Sequence, residues 1–530
     1  MPKPSGQRQS WGTKIGIIMA VAGSAIGLGN FLRFPVQAAN NGGGSFMIPY
    51  FISLIFMGIP LMWVEWTIGR YGGGFGHGTA PGAFHSMWAK NRFIKYFGII
   101  GIFGPMVIFI YYTYIESWLL GFTVFSITGR ALLPGSQEAM QSFLAGYQGI
   151  ETNEYFTGRL WAYIFFLITF VLNMYVITHG ISRGIERFTK WATPLLLISG
   201  ILLAVRILTL TPVNPAHPDW TVTAGLGFLW NPDFSRLTDA RVWLAAAGQI
   251  FFTLSVGIGA ILTYTSYLKK NDDIVLSGLS SVSTNEFAEV VLGSSIIIPA
   301  TFLFFGPVGT TEIAKSGAFN LGFVTMPMIF QQIPAGQFFG ALWFSLLFLA
   351  GVTSSISLAQ PAITFLEDEF NIPQAKATRI FAVVTFVLCH FPILFLGQGV
   401  LDEMDFWGGT FCLVVFATIE SILFSWVFGI DRAWDEMHLG SEIRVPRFYK
   451  FILKYVTPLF LIAILVWWFI QQGAPVILMK NIPDELKPYA LGTRAALVVL
   501  AVTLCLLVKL AWRRRKKSGD LPDYSLPDSR

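Results

Sequence analysis

Two runs of small residues, Gly23-Ser24-Ala25-Ile26-Gly27-Leu28-Gly29-Asn30 and Ser255-Val256-Gly257-Ile258-Gly259, interrupt stretches otherwise apolar enough for membrane helices. Glycine lacks the Cβ that restricts φ and ψ, so such runs unwind at little cost. Backbone that unwinds inside hydrocarbon must find partners for its N–H and C=O groups, and it survives only where it lines a cavity. The chemistry on offer is non-covalent: freed N–H groups at a half-helix N-terminus suit an anion, and freed carbonyls at a half-helix C-terminus suit a cation. Interruptions at matching places in two halves of a polytopic chain point to the substrate and ion site of a secondary transporter. Read by itself, Gly23-x-x-x-Gly27 also fits a small-residue packing face for a neighbouring helix.

The elements that must carry these runs follow from composition. Of 530 residues 54% are hydrophobic, 15% aromatic and 12% charged, where soluble domains carry roughly 25% charged residues. Mean hydropathy is +0.60. This is an all-α integral membrane protein. Windows of about 20 apolar residues give about twelve transmembrane helices, near 14–37, 44–71, 93–126, 160–180, 189–211, 241–267, 275–305, 337–368, 375–396, 400–427, 448–472 and 490–512. The interrupted runs fall in the first and sixth. The chain then divides into an N-terminal segment (1–13), a first repeat of five helices (14–211), a second of five (241–427) inverted relative to it, two further helices (448–512) and a basic tail (513–530). A pseudo-two-fold axis between the 5+5 inverted repeats would bring broken helices 1 and 6 together at the midplane.

Charge sets the orientation. Lys90, Arg92 and Lys95, then Arg183, Arg187 and Lys190, then Lys269 and Lys270 fall in loops on the side of both termini, which the positive-inside bias makes cytoplasmic. Arg513-Arg514-Arg515-Lys516-Lys517 directly follows the last span and reads as an anchor of the same kind, so the formal charge of +6 argues for membrane orientation and not for nucleic acid. On the other face, 306–336 has amphipathic character around Ala318-Phe319-Asn320 and suits a loop folded back over a central vestibule. The absence of any N-x-[ST] sequon favours a bacterial plasma membrane, and the polar start runs into a full-length span without a cleavage context. Cys389, Cys412 and Cys505 lie in apolar stretches, as small buried hydrophobes do, with neither a disulfide framework nor metal-ligand spacing. No G-x-x-x-x-G-K-[ST] serves a nucleotide-driven pump and no H-E-x-x-H serves a metallohydrolase, so the chain is read as a carrier and not an enzyme.

Six blocks, SAIGLGNFLRFP from Ser24, NGGGSFMIPY from Asn41, GIPLMWVEWTIGRY from Gly58, YYTYIESW from Tyr111, GQIFFTLSVGIGA from Gly248 and LDEMDFWGGT from Leu401, together resemble the neurotransmitter:sodium symporter family. Within it they are most similar to the bacterial leucine transporter. The resemblance implies that a substrate carboxylate meets the N–H groups of Leu28 and Gly29 and the Tyr112 hydroxyl, and that its ammonium meets carbonyls of Ala25, Phe252 and Thr253 and the Ser255 hydroxyl. It implies two sodium sites built from oxygen, the ligand type hard cations prefer: Ala25, Asn30, Thr253 and Asn285 with the substrate carboxylate for the first; Gly23, Ile26, Ala350, Thr353 and Ser354 for the second. A ligand shared by ion and substrate couples their binding reciprocally. Arg33 and Asp405 resemble an outer gate pair closing over the substrate with Tyr112 and Phe252 between them, and Arg8, Ser266, Tyr267 and Asp368 an inner gate network. Glu65 resembles a residue bracing the unwound part of helix 1. In isolation Tyr112 reads as a packing tyrosine, Thr353-Ser354-Ser355 as hydroxyls bonded to their own helix, and Glu116 and Glu420 as structural pairs.

By the same resemblance, Ser24, Ile108, Ile258 and Leu358 stand in the side-chain pocket where the leucine transporter has asparagine, valine, phenylalanine and isoleucine. An aliphatic at Ile258 enlarges one wall. Position 27 is glycine, so no acid takes the place of the aspartate with which monoamine carriers hold an amine, and the substrate keeps its own carboxylate. Glu289 stands where chloride-dependent animal members have serine; its carboxylate supplies the charge that chloride would, which implies chloride independence and makes proton counter-transport available. The expected function is sodium-coupled import of hydrophobic L-amino acids by alternating access, in a bilayer, as a monomer or homodimer. The alternative is a non-transporting amino-acid sensor on the same fold.

Overall fold

A computed structural model describes residues 9–522 and Tyr524; Arg8 of the expected inner gate lies outside the described residues. Every regular element among the described residues is helical. The first crossing helix, α1, is a bent pair, Lys14–Ala25 and Gly29–Asn40, whose axes differ by 48°. It is followed by α2 (Gly44–Gly74), α3 (Ile94–Ile127), α4 (Leu160–Thr178) and α5 (Ile181–Leu208). The sixth, α6, consists of Ala240–Thr253 and Ala260–Thr265, neither long enough to cross alone. Then come α7 (Val275–Lys315), α8 (Gly336–Phe370), α9 (Gln374–Leu394), α10 (Val400–Val427), α11 (Phe448–Gln471) and α12 (Lys487–Ser518). Among the described residues ten helices are long and apolar enough to span, α1 taken as one span makes an eleventh, and α6 is the remaining segment of the expected twelve, interrupted where the small-residue run at 255–259 predicts a break. α5 begins at Ile181, ahead of the expected 189, because the polar positions Arg183, Glu186 and Lys190 belong to its first turns, where long side chains reach away from hydrocarbon. α7 turns at Gly306 (φ 68, ψ −176), close to the boundary read from sequence.

Local chemistry explains where the helices start and break. Thr13 caps α1 by accepting from the Gly16 N–H at 3.0 Å, and Glu186 of α5 accepts from the Gly12 N–H at 2.7 Å and the Thr13 hydroxyl at 2.9 Å. A carboxylate is thus seated at a helix N-terminus, where the dipole favours it. At Ile26 the backbone leaves the helical region (φ −71, ψ 100). In α6 the break holds three left-handed residues, Ser255 (φ 53), Gly257 (φ 77) and Gly259 (φ 92). A Cβ at Gly257 would stand 2.6 Å from the Leu413 carbonyl oxygen, and one at Gly259 2.5 Å from that of Gly101, so close packing and backbone angle both demand glycine there. Ser255 holds the same conformation with a side chain, a strain typical of functional sites.

Burial separates the inner helices from the lipid-facing ones: 83% of the apolar stretch of α3 is buried, against 28% of those of α11 and α12. The connection after α7 carries a short helix, Ala318–Gln331, whose Phe319 and Phe323 pack edge-on against Trp118 of α3 at 6.0 and 6.2 Å. Both described ends of the chain lie on one face. There Gln9 meets Gln374 at 2.8 Å, the Trp11 indole donates to the Tyr264 carbonyl at 2.8 Å, Lys14 pairs with Glu442 at 2.6 Å, and Arg515 reaches the Gly76 carbonyl.

Candidate functional site

The breaks of α1 and α6 face one cavity closed laterally by α3, α8 and α10. Its walls contain all of Ser24, Ala25, Gly27, Leu28, Gly29, Ile108, Tyr112, Phe252, Thr253, Ser255, Ile258, Ser354 and Leu358. One end is polar. The Leu28 N–H donates to the Tyr112 hydroxyl oxygen, 3.5 Å away, while the Ser255 and Ser354 hydroxyls both reach the Ser24 carbonyl, at 3.3 and 3.2 Å. The other end is apolar, formed by Ile108, Ile258 and Leu358 with Leu413. A cavity with donors and carbonyls at one end and aliphatic side chains at the other suits a zwitterion with an apolar tail. Sequence reasoning missed Tyr111, Ala260, Ser357, Gly409 and Leu413 as wall residues. Ser357 lies one helical turn after Ser354 and binds the Ser24 hydroxyl at 2.6 Å; its i+3 spacing was the available signal.

Directly behind the breaks, oxygen-bearing side chains gather from α1, α6 and α7. Asn30 Nδ2 lies 3.0 Å from Thr253 Oγ1, 2.9 Å from Asn285 Oδ1 and 2.9 Å from Glu289 Oε2; Asn285 Nδ2 is 3.1 Å from Thr253 Oγ1; and Thr253 donates to Glu289. The Asn30 amide oxygen accepts from the Gly27 N–H at 2.8 Å, so the oxygens that face one another in this group are those of Thr253, Asn285 and Glu289. The Glu289 carboxylate also accepts from Gln249 at 3.0 Å and from the Tyr50 hydroxyl at 3.0 Å, so four donors surround it, all buried. Tyr50 and its contact to Glu286 at 2.7 Å were not foreseen. A second group forms where α1 crosses α8. A Cβ on Gly23 would stand 3.3 Å from that of Thr353, and the Thr353 and Ser354 hydroxyls bond the Ala350 carbonyl at 3.1 and 3.0 Å. Ile26 closes the last turn of the first half of α1 through the Ala22 carbonyl.

The expected outer pair is not joined. Among the described residues no ion pair links Arg33 to Asp405: the Arg33 guanidinium lies over the Phe252 ring, 4.2 Å from its centroid, with Nη1 lacking a hydrogen-bond partner, and Asp405 instead accepts from Tyr111 at 2.5 Å. A cation on an aromatic face and a carboxylate on a phenol hold the two charges on opposite walls of the opening. At the other end, the Tyr267 hydroxyl meets Thr364 at 2.8 Å, the Ser266 hydroxyl bonds the Thr263 carbonyl at 2.6 Å, and the Asp368 carbonyl accepts from Arg515 at 2.7 Å. Glu65 braces a break, but that of α6: it accepts from the Gly257 N–H, with Glu420 of α10 facing the same carboxyl. Glu116 accepts from Asn173 at 3.0 Å, and Asn173 from Ser355 at 2.6 Å, which ties α3, α4 and α8.

Asn30 and Arg33 (Gly29–Arg33), Glu289 (Phe287–Gly293) and Asp405 (Asp405–Phe411) each sit in a π-helical turn, which re-aims side chains relative to an α-helix. Ser182, in Gly180-Ile181-Ser182-Arg183-Gly184, matches the G-x-S-x-G pattern, but it stands exposed on the π-turn that opens α5 and not on a strand-to-helix elbow.

The family model described as sodium:neurotransmitter symporter family matches residues 8–137 and 141–514. An uncharacterized sodium-dependent transporter of Methanocaldococcus jannaschii is 31% identical over 464 residues, 86% of this chain and 90% of the relative. The sodium-dependent nutrient amino acid transporter 1 of Drosophila melanogaster is 25% identical over 526 residues, covering 88% and 78% respectively. The crystal structure of MhsT in complex with L-phenylalanine superposes with a TM-score of 0.73 at 27% identity, over 87% of this chain and 99% of that one.

Proposed function

The chain belongs to the sodium:neurotransmitter symporter family, and from that premise we propose that it imports hydrophobic L-amino acids with sodium by alternating access, without chloride and with proton return through Glu289. One observation carries the reading: the two helix breaks present N–H donors and carbonyls to a single cavity whose far wall is aliphatic, immediately in front of a buried cluster of Asn30, Thr253, Asn285 and Glu289. The cluster supplies oxygen ligands and one fixed negative charge, which suits a cotransported hard cation. The group around Gly23, Ile26, Ala350, Thr353 and Ser354 would take a second sodium. A substrate carboxylate bound at Leu28, Gly29 and Tyr112 would complete the first ion's shell, so each stabilises the other.

Residues 14–211 and 241–427 are taken as the inverted repeats, and the face carrying both described ends as cytoplasmic, because the basic loops lie there. Arg33 and Asp405 would meet only when the outer path closes, which requires Asp405 to leave Tyr111. Proteoliposomes with an imposed sodium gradient test the reading. Labelled leucine, phenylalanine and tryptophan should accumulate against their gradients in sodium and not in potassium. Sodium-dependent binding without accumulation would instead identify a sensor.

A further inference from the structure

Two serines in the cavity wall, Ser24 of α1 and Ser357 of α8, leave one acceptor unused. Their hydroxyl oxygens are 2.6 Å apart, and the Ser357 hydroxyl donates to the Ser354 carbonyl at 2.7 Å. A carbonyl only accepts, so the Ser357 proton is committed to its own helix, one turn back. The bond between the two serines is then made with the proton of Ser24. The Ser24 oxygen keeps its lone pairs, and among the described residues no donor reaches it, although Ser24 is only 4% exposed.

Position decides what could use that oxygen. Ser24 is the last residue but one in the first half of α1, and Ser357 lies one turn beyond Ser354 along α8. The backbone of Ser24 serves the polar end of the cavity, its carbonyl reached by the Ser255 and Ser354 hydroxyls, whereas its side chain turns to Ser357. The side-chain wall is otherwise carbon at Ile108, Ile258, Ala260, Leu358 and Leu413.

A buried acceptor without a donor costs free energy until a ligand supplies one. The group that fits is a donor needing no acceptor in return, because the Ser24 proton is spent and the aliphatic wall offers neither. Leucine, phenylalanine and methionine bring no donor. A tyrosine phenol donates but carries lone pairs that an aliphatic wall leaves unsatisfied, while the indole N–H of tryptophan is a donor only. We propose that Ser24 is a specificity-determining residue whose hydroxyl oxygen accepts from the indole N–H of tryptophan, which selects tryptophan among large apolar substrates. The proposal deepens the amino-acid reading given above and rests on it.

Equilibrium competition against labelled leucine, with the full chain in lipid nanodiscs and sodium buffer, tests it with two ligands of nearly equal shape: L-tryptophan and its benzothienylalanine analogue, in which sulfur replaces the N–H. The parent should bind tryptophan about fivefold to tenfold tighter than the analogue, the effect of one buried hydrogen bond. Ser24→Ala should bring that ratio to about one. An analogue that competes as well as tryptophan in the parent overturns the proposal and needs no variant, so the test survives a Ser24→Ala chain that does not fold. A ratio retained in Ser24→Ala, or tryptophan that does not compete, overturns it equally. With labelled leucine still bound in sodium, each of these failures leaves the transport reading standing; absence of sodium-dependent leucine binding and accumulation would remove that reading and this one with it.

Discussion

Replacing Glu289 by serine should convert the protein to one that requires chloride. Four buried donors converge on the carboxylate: Gln249 and Tyr50 at 3.0 Å on one oxygen, Asn30 at 2.9 Å and Thr253 on the other. Serine is too short to reach them and carries no charge. Each buried donor left unsatisfied costs about 1 to 3 kcal/mol. Tyr50 keeps Glu286 as its acceptor at 2.7 Å, so if the new hydroxyl and water recover one of the other three, a deficit of about 2 to 6 kcal/mol remains, or roughly 30-fold to 10⁴-fold in whichever equilibrium depends on the site. The same donors form a cradle for a monovalent anion, which would restore both the hydrogen bonds and the negative charge beside the cation. Sodium-driven uptake should thus be equal in chloride and gluconate for the parent, and fall by at least roughly 30-fold in gluconate for Glu289→Ser with recovery in chloride. A chloride requirement in the parent, or an active serine variant indifferent to the anion, would refute the reasoning.

Four further outcomes are expected. Asn285→Ala should weaken sodium and substrate binding together, and a loss confined to one of them by calorimetry would break the shared-ligand argument. Ile258→Phe puts a ring into the aliphatic wall, where overpacking costs about 1 to 3 kcal/mol; competition binding should show tryptophan losing to leucine, and an unchanged ratio would remove Ile258 from size selection. Tyr111→Phe frees Asp405 from its 2.5 Å partner and should favour the closed outer pair, slowing substrate dissociation roughly tenfold; an off-rate equal to the parent's contradicts this. His85, on the connecting helix Ala80–Met87, is held at about 4, below the usual 6.5, first by burial and then by the charges of Lys95 and His77. The unfolded chain therefore takes up that proton first as pH falls, and the stability it contributes above 6.5 is lost toward 4. Melting curves at pH 7 and pH 5 should differ less for His85→Gln than for the parent; equal differences would assign the acid sensitivity elsewhere.

What could be read beforehand was whatever the backbone alone demands. Small residues where a helix must open show locally, and the resemblance supplied the rest: the cavity wall contains the thirteen residues expected to line the substrate site, whereas Gly23, Asn285 and Thr353, expected at the ions, are not part of that wall. What escaped depended on partner choice across hundreds of residues. Arg33 and Asp405 were expected as a pair by resemblance, which says nothing of whether the opening is closed, and here an aromatic face and a phenol nearer to each hold them apart. Glu65 was placed at the helix 1 break by resemblance, and only the packing of α2 on α6 selects the Gly257 N–H. The π-turns at Asn30, Glu289 and Asp405 leave no mark in hydropathy, since one extra residue per turn hardly alters an apolar average. The basic tail looked like an anchor because charge counting does not see that a guanidinium can cap a distant helix.

The alternation of left-handed residues through the α6 break divides its positions into those that selection can use and those it cannot. At 257 and 259 any side chain would strike a carbonyl of α10 or α3, and the backbone angle excludes it as well. Ile258, between them, bears no such constraint and faces the cavity. Mutations in this stretch are thus sorted by the fold before function tests them: changes at the glycines abolish the break, whereas changes at 258 reshape the compartment and leave its frame alone. A lineage of such proteins can explore new cargo through one variable letter set in a fixed word, and divergence in substrate preference should accumulate there faster than divergence in architecture.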